Sequence, residues 1–365
     1  MKKTTAVVLI LLIATGFIHP ASIRQQRLLT ENIVIVTLDG MRWQEVFRGA
    51  DREILQNKKY THDTSGAFAD FWEEDPLARR ENLFPFLWSV IAREGQIYGN
   101  RHYANKVDNA NPYKFSYPGY SEIFTGYPDP AVNSNEKIVN PNSNVLGFIN
   151  HQNGYQGRVA AFTTWDVFPY ILNKEKSGIY INADMDSLKF NSGRFSLLND
   201  MQALSAQPLD VRPDVITYLA AREYLKTYKP KVLFIGFDET DDFAHGGQYE
   251  QYLKSARAED GMLRDLWNTI QSDPQYRNKT TLIITCDHGR GDANKNNWTE
   301  HGNEISDAGQ IWIAAIGPDT KPLGEIKTKQ RLYQQQLAAT FSQLLGFSFT
   351  AEHPVASPIR SIYSK

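Results

Sequence analysis

The chain has 365 residues, of which 41% are hydrophobic and 22% are charged, so it contains enough apolar side chains to fill a large core. Its 39 lysine and arginine residues are balanced by 41 aspartate and glutamate residues, a net charge of −2 that argues against binding of duplex nucleic acid. The single cysteine, Cys286, excludes an intrachain disulfide framework and a cysteine-rich zinc knuckle, so a metal here must be bound by histidine and carboxylate side chains.

The first segment in chain order is typical of a secretory signal peptide. Lys2 and Lys3 precede an apolar run over residues 6–18, about 13 residues, which is too short to span a bilayer comfortably. We place the signal peptide at residues 1–22, with cleavage near Ala21 or Ser22; the alternative is a buried N-terminal strand or helix. We therefore expect an exported protein, periplasmic or extracellular, without stable membrane insertion after signal removal.

Short apolar runs alternate with amphipathic segments along the rest of the chain. The predicted buried parallel strands are Ile33–Leu38, Val159–Phe162, Val232–Phe237, Leu282–Cys286 and Ile311–Ile316. The predicted helices are Asn82–Glu94, Asp214–Tyr228, Gln248–Ile270 and Gln330–Leu345. Long loops are expected over Asp51–Arg80 and Tyr127–Asn144. This alternation predicts a single α/β domain over residues 30–365, with a mostly parallel sheet covered by helices on both faces.

Acidic and histidine side chains follow several of these strands, at the position where open α/β sheets bind ligands. Asp39 ends the first strand, and Gly40 allows a turn there; an aspartate at this point is also a common turn former or helix cap. After the strand Val232–Phe237, Asp241 and His245 stand one helical turn apart, so a short helix or a wound loop would direct both side chains toward one cation. The alternative for this pair is a solvated acidic loop.

Two further histidines add to this pattern. Asp287 and His288 follow the strand Leu282–Cys286. Adjacent side chains on a strand point to opposite faces, so both can reach one ion only if the strand ends at this point. Gly289 permits such an end. His301 lies in a polar loop, where a surface histidine is the ordinary alternative.

Ser116 is the candidate nucleophile. It begins the segment Ser-Tyr-Pro-Gly-Tyr and is predicted to lie at a helix N-terminus, where backbone N–H groups favour a phosphoryl group. Capping of the helix is the alternative role. No histidine is evidently paired with Ser116 as a base, so a metal is needed to stabilise its alkoxide.

Together these motifs resemble the alkaline phosphatase superfamily and, within it, the type I phosphodiesterase/nucleotide pyrophosphatase family. The resemblance covers nearly the whole mature chain, in order: Asp39, Ser116 before Tyr-Pro-Gly-Tyr, Asp241 with His245, Asp287 with His288, and His301. It implies an alkaline phosphatase-like fold and two divalent metal ions. One ion would be bound by Asp39, Asp287 and His288 with the Ser116 hydroxyl oxygen, and the other by Asp241, His245 and His301. Mixed carboxylate and imidazole ligands suit Zn²⁺.

Departures from the superfamily patterns narrow the expected substrate. Sulfatases of the superfamily require x-Pro-x-Arg after the modified residue, whereas Ser116 is followed by Tyr-Pro-Gly-Tyr. Some monoesterases carry a Lys-x-Arg clamp after the next strand, and the corresponding stretch 158–167 has no such pair. Without that clamp the pocket suits a singly charged diester better than a monoester dianion. We therefore expect a phosphodiesterase that acts through a covalent phosphoserine on a small phosphate ester.

Four residues are candidates for substrate binding. The family's phosphate-binding asparagine has counterparts in Asn140 and Asn142, although an Asn-Pro turn is the alternative for both. Tyr117 and Trp165 are predicted to contact an organic group such as a nucleobase, with core packing as the alternative. The functional alternatives are a phosphomonoesterase, a phosphoethanolamine-type transferase and a secreted protein whose metals are only structural. The oligomeric state is left open.

Overall fold

The computed structural model describes residues 28–206, 209 and 211–363. The proposed signal peptide, residues 1–22, lies outside this range. The strands are β1 (Asn32–Leu38), β2 (Gln96–Tyr98), β3 (Asn105–Asp108), β4 (Val159–Thr163), β5 (Tyr180–Ala183), β6 (Val232–Phe237), β7 (Thr280–Thr285), β8 (Gln310–Ile311), β9 (Ile313–Ile316), β10 (Gly324–Glu325) and β11 (Gln330–Tyr333). No helix among the described residues is both long enough and apolar enough to cross a membrane.

Helices connect and flank these strands. They are α1 (Trp43–Arg48), α2 (Arg52–Gln56), α3 (Thr64–Phe71), α4 (Pro76–Leu83), α5 (Ala92–Glu94), α6 (Ser116–Thr125), α7 (Val145–Asn150), α8 (Phe168–Ile171), α9 (Lys174–Ser177), α10 (Gly193–Leu204), α11 (Asp214–Tyr228), α12 (Glu239–His245), α13 (Tyr249–Ser272) and α14 (Gln336–Leu344). A π-helical turn, Leu87–Ile91, precedes α5.

Eight strands form the central sheet in the order β10-β2-β9-β7-β1-β6-β4-β5, and β11-β3-β8 form a smaller sheet. In the central sheet β7, β1, β6, β4 and β5 are mutually parallel, and β9 runs antiparallel to both of its neighbours. Every residue of β1, β6 and β7 is buried. Because side chains alternate between the faces of a strand, this burial requires helices on both faces of the sheet. The predicted α/β class and mostly parallel sheet are confirmed.

Some element predictions are corrected. The predicted strand Ile311–Ile316 is divided between β8 and β9, and neither is a member of the parallel set. The predicted loop Asp51–Arg80 contains α2, α3 and α4, because the carboxylates of Asp51, Asp63 and Asp75 accept N–H bonds from the first turns of these helices. The predicted loop Tyr127–Asn144 contains no helix or strand, as expected.

Two predicted helices are interrupted. Within Asn82–Glu94 the helical pattern breaks near Pro85, which has no N–H to donate, and the N–H groups of Phe86 and Leu87 donate instead to the buried carboxylate of Asp260. Gln330–Leu345 begins with a strand, β11, which pairs with β3, and becomes helical only at α14. The other two helices, α11 and α13, are confirmed within two residues.

Candidate active site

The candidate site lies at the carboxyl ends of three neighbouring strands, β7, β1 and β6. In the register of β1 and β7, Thr37 is level with Thr285. Asp39 and Asp287 each follow two residues later and therefore come to the same level. Asp241 reaches the site from β6 through the short helix α12. The strand ends bring these carboxylates together, as the sequence predicts.

Asp39, Asp287 and His288 form the first group of candidate metal-ligand atoms, a group that could hold a metal ion. His288 Nε2 lies 3.4 Å from Asp39 Oδ1 and 3.4 Å from Asp287 Oδ2. The second oxygen of each carboxylate is already bonded: Asp39 Oδ2 accepts the Tyr120 hydroxyl at 2.9 Å, and Asp287 Oδ1 accepts the Gly40 N–H at 3.1 Å. Each carboxylate is therefore held by one oxygen and presents the other to the group.

The second group contains Asp241, His288 and His301, with His245 beside it. His245 Nε2 lies 3.0 Å from Asp241 Oδ2 and 2.9 Å from His301 Nε2. The rings of His288 and His301 are stacked at 4.0 Å, so His288 lies between the two groups. The His245 side chain is 45% exposed, and this group is therefore the more solvent-accessible of the two.

Electrostatic repulsion is strong in this cluster. Burial, together with the neighbouring carboxylates of Asp287 and Asp241, raises the pKa of Asp39 well above its usual value. Burial also raises the pKa of Asp287, against the opposing effect of His288. Burial acts in the same direction on Asp241, but the guanidinium of Arg290 outweighs it and holds the pKa of Asp241 well below its usual value.

The donor atoms fit divalent cations. Asp39 Oδ1 and Asp287 Oδ2 are buried and accept no hydrogen bond from any residue that the structure describes. Burial and the adjacent His288 lower the pKa of His301 to about 2, so its ring is neutral and available as a ligand. A bound cation would relieve the repulsion and supply the missing partners, and mixed carboxylate and imidazole donors are a zinc-type set.

Ser116 is the first residue of α6 and is 7% exposed. Its side chain does not cap the helix, which removes the capping alternative. Ser116 Oγ lies 3.4 Å from His288 Nε2. Sequence reasoning found no histidine near Ser116, because the two residues are 172 positions apart. The structure thus places the predicted nucleophile at the first group of metal-ligand atoms.

Gly119 explains how α6 approaches the metal-ligand residues so closely. A Cβ atom at this position would lie 2.6 Å from the carbonyl oxygen of Asp287, far inside van der Waals contact. The absence of a side chain therefore lets the helix that carries Ser116 pack directly on the chain at Asp287.

The four predicted substrate-binding residues occupy different surroundings. Tyr117 is buried, and its hydroxyl donates to the Ile138 carbonyl. Trp165 is half-buried and packs edge-on against Phe168. The amide nitrogen of Asn140 donates to Ser121 Oγ, and that of Asn142 donates to Asp129 Oδ2. Both asparagine amides are therefore bonded within the protein.

Two residues near the site were missed by sequence reasoning. Asn135 Oδ1 accepts the N–H of Tyr117 at 2.9 Å, while its amide nitrogen donates no hydrogen bond to a described residue. Asn135 is therefore bonded to the backbone one residue after Ser116, and its position in the same loop as Asn140 and Asn142 was the available signal. Arg290 follows the Asp-His-Gly motif by one residue and contacts Asp241, a long-range contact that no local pattern indicates.

A third feature concerns the charge of Lys137, in the loop Tyr127–Asn144 beside Tyr117. Lys137 Nζ lies 2.5 Å from Asp166 Oδ2, and Lys137 is two residues from Asn135 and adjacent to Ile138, both of which contact Tyr117. Sequence reasoning found no Lys-x-Arg clamp after β4. In the structure Lys137, from the loop Tyr127–Asn144, lies at Asp166 after β4 and is already paired with that carboxylate.

A sequence model of the family described as Type I phosphodiesterase / nucleotide pyrophosphatase matches residues 46–345. Among curated protein sequences, none matches this chain.

Solved structures share the fold at low sequence identity. The alkaline phosphatase PafA has a TM-score of 0.60 at 11% identity, covering 93% of this chain and 99% of its own. The lipoteichoic acid synthase LtaP from Listeria monocytogenes has a TM-score of 0.57 at 12% identity, covering 92% and 76%. The 2-O GAG sulfatase BT1596 has a TM-score of 0.56 at 15% identity, covering 92% and 75%. The chain therefore has an alkaline phosphatase-like fold.

Proposed function

The chain belongs to the type I phosphodiesterase/nucleotide pyrophosphatase family, and from this premise we propose that it is an exported phosphodiesterase that forms a covalent phosphoserine at Ser116. The observation that carries the proposal is the position of Ser116 Oγ at the start of α6, 3.4 Å from His288 Nε2. A serine hydroxyl is a weak nucleophile at neutral pH and requires activation by its surroundings.

Two divalent cations, which we assign as Zn²⁺, fit the donor atoms of the site. We assign one to Asp39, Asp287 and His288 with Ser116 Oγ, and the other to Asp241, His245 and His301. When bound, such ions supply positive charge that stabilises an alkoxide and the developing charge of phosphoryl transfer. The buried carboxylate oxygens without protein donors support this assignment.

The protein's own groups orient the phosphoryl group. The N-terminal end of α6 carries a partial positive charge, which attracts an anionic phosphate toward Ser116. We assign the phosphate-binding amide to Asn135, because its oxygen is fixed by the Tyr117 N–H and its nitrogen has no other described acceptor. Tyr117 and Trp165 remain our candidates for contact with the organic part of the substrate.

In the proposed reaction, Ser116 Oγ forms a bond to phosphorus as the bond to the leaving alcohol breaks, and the alcohol departs with a proton. Water then forms the new P–O bond as the P–Oγ bond breaks, which regenerates the serine and releases a phosphate monoester. Arrest of this second step leaves Ser116 esterified to a phosphoryl group that still carries the other ester group of the substrate. Mass spectrometry of the acid-quenched enzyme tests the intermediate, and modification at Ser116 is expected.

The charge balance beside Tyr117 supports a diester substrate. Lys137 is the lysine nearest in sequence to Asn135 in this loop, and its ion pair with Asp166 brings no net positive charge to the pocket. A monoester dianion carries about one more negative charge than a diester, and the paired Lys137 supplies no uncompensated positive charge to stabilise it.

The decisive experiment compares kcat/KM for bis-p-nitrophenyl phosphate and p-nitrophenyl phosphate after zinc reconstitution, at one pH and one metal load. We expect the diester to be the better substrate. A monoester advantage of about tenfold, or roughly 1.4 kcal/mol, would replace this proposal with the phosphomonoesterase alternative. Absence of turnover on either ester in zinc-loaded protein would refute the hydrolase proposal as a whole.

Export is a separate part of the proposal. It rests on Lys2, Lys3 and the apolar run 6–18, which precede the described residues. Cell fractionation of a C-terminally tagged chain, with N-terminal sequencing of the product, tests it. We expect a mature N-terminus near Ala21 or Ser22, and retention of an intact N-terminus in the cytoplasm would contradict export.

A further inference from the structure

Arg290 is a buried cation in contact with several segments of the site. It lies two residues after His288 and is 1% exposed. Its Nη2 donates to the main-chain carbonyl of Asp241 at 3.0 Å and also contacts Asp241 Oδ1. Its Nη1 contacts the carbonyl oxygen of Thr299, which lies two residues before His301. One guanidinium therefore joins the β7 end, helix α12 and the loop of the last histidine.

Gly40, in the turn after Asp39, completes the enclosure of this side chain. A Cβ atom at Gly40 would lie 2.9 Å from Arg290 Nε and closer still to Asp241 Oδ1. Gly40 also has a positive φ of 58°, which favours glycine. The turn therefore leaves room for the guanidinium directly beside the Asp241 carboxylate.

The consequence for Asp241 is that its two oxygens have different surroundings. Oδ1 is in contact with Arg290, whereas Oδ2 faces His245 Nε2 at 3.0 Å. Asp39 and Asp287 are oriented in the same one-sided way, but by the neutral donors Tyr120 O–H and Gly40 N–H. Partners behind a ligand orient it, and their loss typically lowers metal affinity about 10- to 100-fold.

We propose that Arg290 is a positioning residue for the second cation site: it directs Asp241 Oδ2 toward that site and fixes the loop that carries His301. The inference rests on the metal assignment made under the proposed function. Two of the guanidinium's three acceptors are main-chain carbonyls, so Arg290 fixes the backbone at Asp241 and Thr299 as well as the Asp241 carboxylate. The planar guanidinium of arginine donates in fixed directions and so fixes the geometry of its acceptors, which the ammonium group of a lysine does not.

The test measures zinc binding to the full chain by mass spectrometry of bound metal and by chelator competition. Arg290→Met is expected to lower the affinity of one of two sites about 10- to 100-fold and leave the other unchanged. Arg290→Lys keeps the charge but has one nitrogen, which does not reach both Asp241 and Thr299, so no recovery is expected. Arg212→Met is the matched control, because Arg212 is equally buried but bonds Asn182 and Thr163 instead.

A double variant identifies the affected site. His301→Ala alone is expected to weaken the second site, and adding Arg290→Met to it is expected to weaken that same site further, through Asp241, while the first site keeps its zinc affinity. Loss of zinc affinity at the first site in the double variant would overturn the inference. Full recovery of zinc affinity in Arg290→Lys would also overturn it. If Arg290→Met binds zinc at both sites as tightly as the wild-type protein but unfolds at a lower temperature, the ion pair is purely structural and the inference is wrong.

These outcomes are distinct from failure of the proposed function. If the wild-type chain binds no zinc, the metal assignment is wrong and this inference is wrong with it. If it binds two zinc ions but hydrolyses no phosphate diester, the activity is wrong while the role of Arg290 stands on the binding data alone.

Discussion

The hydroxyl oxygen of Ser116 lies 3.4 Å from Nε2 of His288, and both side chains are almost completely buried. The other ring nitrogen, Nδ1, lies 2.9 Å from the Gly289 carbonyl oxygen, which can only accept a hydrogen bond. In the neutral ring the proton therefore resides on Nδ1, and the Nε2 lone pair points toward Ser116 and the two carboxylates. This orientation makes His288 the residue that connects Ser116 to the two candidate metal-ligand groups.

Ser116→Ala is expected to abolish turnover and to leave zinc bound. The remaining ligands of the first site, Asp39, Asp287 and His288, still supply its charge and geometry. Activity on bis-p-nitrophenyl phosphate should fall by several orders of magnitude, on the order of 10³-fold or more. Steady-state kinetics together with bound zinc per chain provide the measurement. Near wild-type turnover in this variant would exclude the covalent route and favour direct attack by water.

Gly119→Ala is expected to impair catalysis without unfolding the protein. The new Cβ atom would lie 2.6 Å from the Asp287 carbonyl oxygen, so α6 must shift and carry Ser116 with it. Misplacement of a reacting group by about 1 Å costs about 10²-fold in rate. The measurement is kcat/KM for the diester in folded, zinc-loaded protein.

Gly261→Ala is the matched control for this prediction. Gly261 also lies inside a helix, α13, but a Cβ atom there meets no neighbour within 4 Å. Alanine is the better helix former by about 1 kcal/mol, so this variant should be slightly more stable and fully active. Equal activity in both alanine variants would mean that the contact between α6 and Asp287 does not position the nucleophile.

The predictable part of the site came from local sequence. Asp39 and Asp287 each follow an apolar run, and parallel strands bring their carboxyl ends to one edge, so their meeting follows from the fold class. The spacing of Asp241 and His245 likewise predicted the short helix α12, which the structure confirms. These inferences need only the spacing of side chains along a strand or helix and the knowledge that neighbouring strands are parallel.

The rest depended on contacts between distant segments. Arg290 meets Asp241 across 49 residues, and Ser116 meets His288 across 172, so neither contact has a local signal. The direction of β9 was also missed, because an apolar run is the same whether its strand is parallel or antiparallel. The helices within Asp51–Arg80 were missed because their capping aspartates are also typical of loops.

Asp166→Asn is expected to shift the substrate preference toward monoesters. The substitution removes the carboxylate that pairs with Lys137, whose ammonium then adds an uncompensated positive charge in the loop beside Tyr117. We expect the monoester-to-diester ratio of kcat/KM to rise about 3- to 10-fold at low ionic strength and less at high salt, because the pair is exposed. Both rates are measured under the conditions used for the wild-type protein.

Glu352→Gln is the control for the charge change. It disrupts a comparably exposed ion pair, that of Glu352 with Lys176, and should leave the ratio unchanged. Lys137→Ala should not raise the ratio, because it removes the same pair without leaving a cation. If Asp166→Asn and Lys137→Ala change the ratio equally, the effect belongs to the loop conformation and not to the lysine charge.

Glu259→Gln is expected to stabilise the protein, most strongly at alkaline pH. Glu259 is fully buried in α13, and neither of its oxygens receives a hydrogen bond from a described donor. Burial, followed by the charges of Asp214 and Glu239 and a direct contact with Asp214, raises its pKa well above the usual 4.5. Glutamine removes the buried acid and provides an N–H group that can donate to Asp214.

The sign of the pH effect follows from proton binding. Because the folded-state pKa of Glu259 is raised, the folded protein retains a proton that the unfolded chain releases above about 4.5. The contribution of the protonated Glu259 to the free energy of unfolding is present below that pH and is lost as the pH rises toward the folded-state pKa. Glu259→Gln removes this loss, so its advantage in the free energy of unfolding should grow with pH, reaching about 1 to 3 kcal/mol. Denaturant unfolding at pH 6 and pH 9 measures it, with the exposed Glu81→Gln as control. A pH-independent difference, or a less stable variant at pH 9, would show that Glu259 is ionised and compensated in the folded protein.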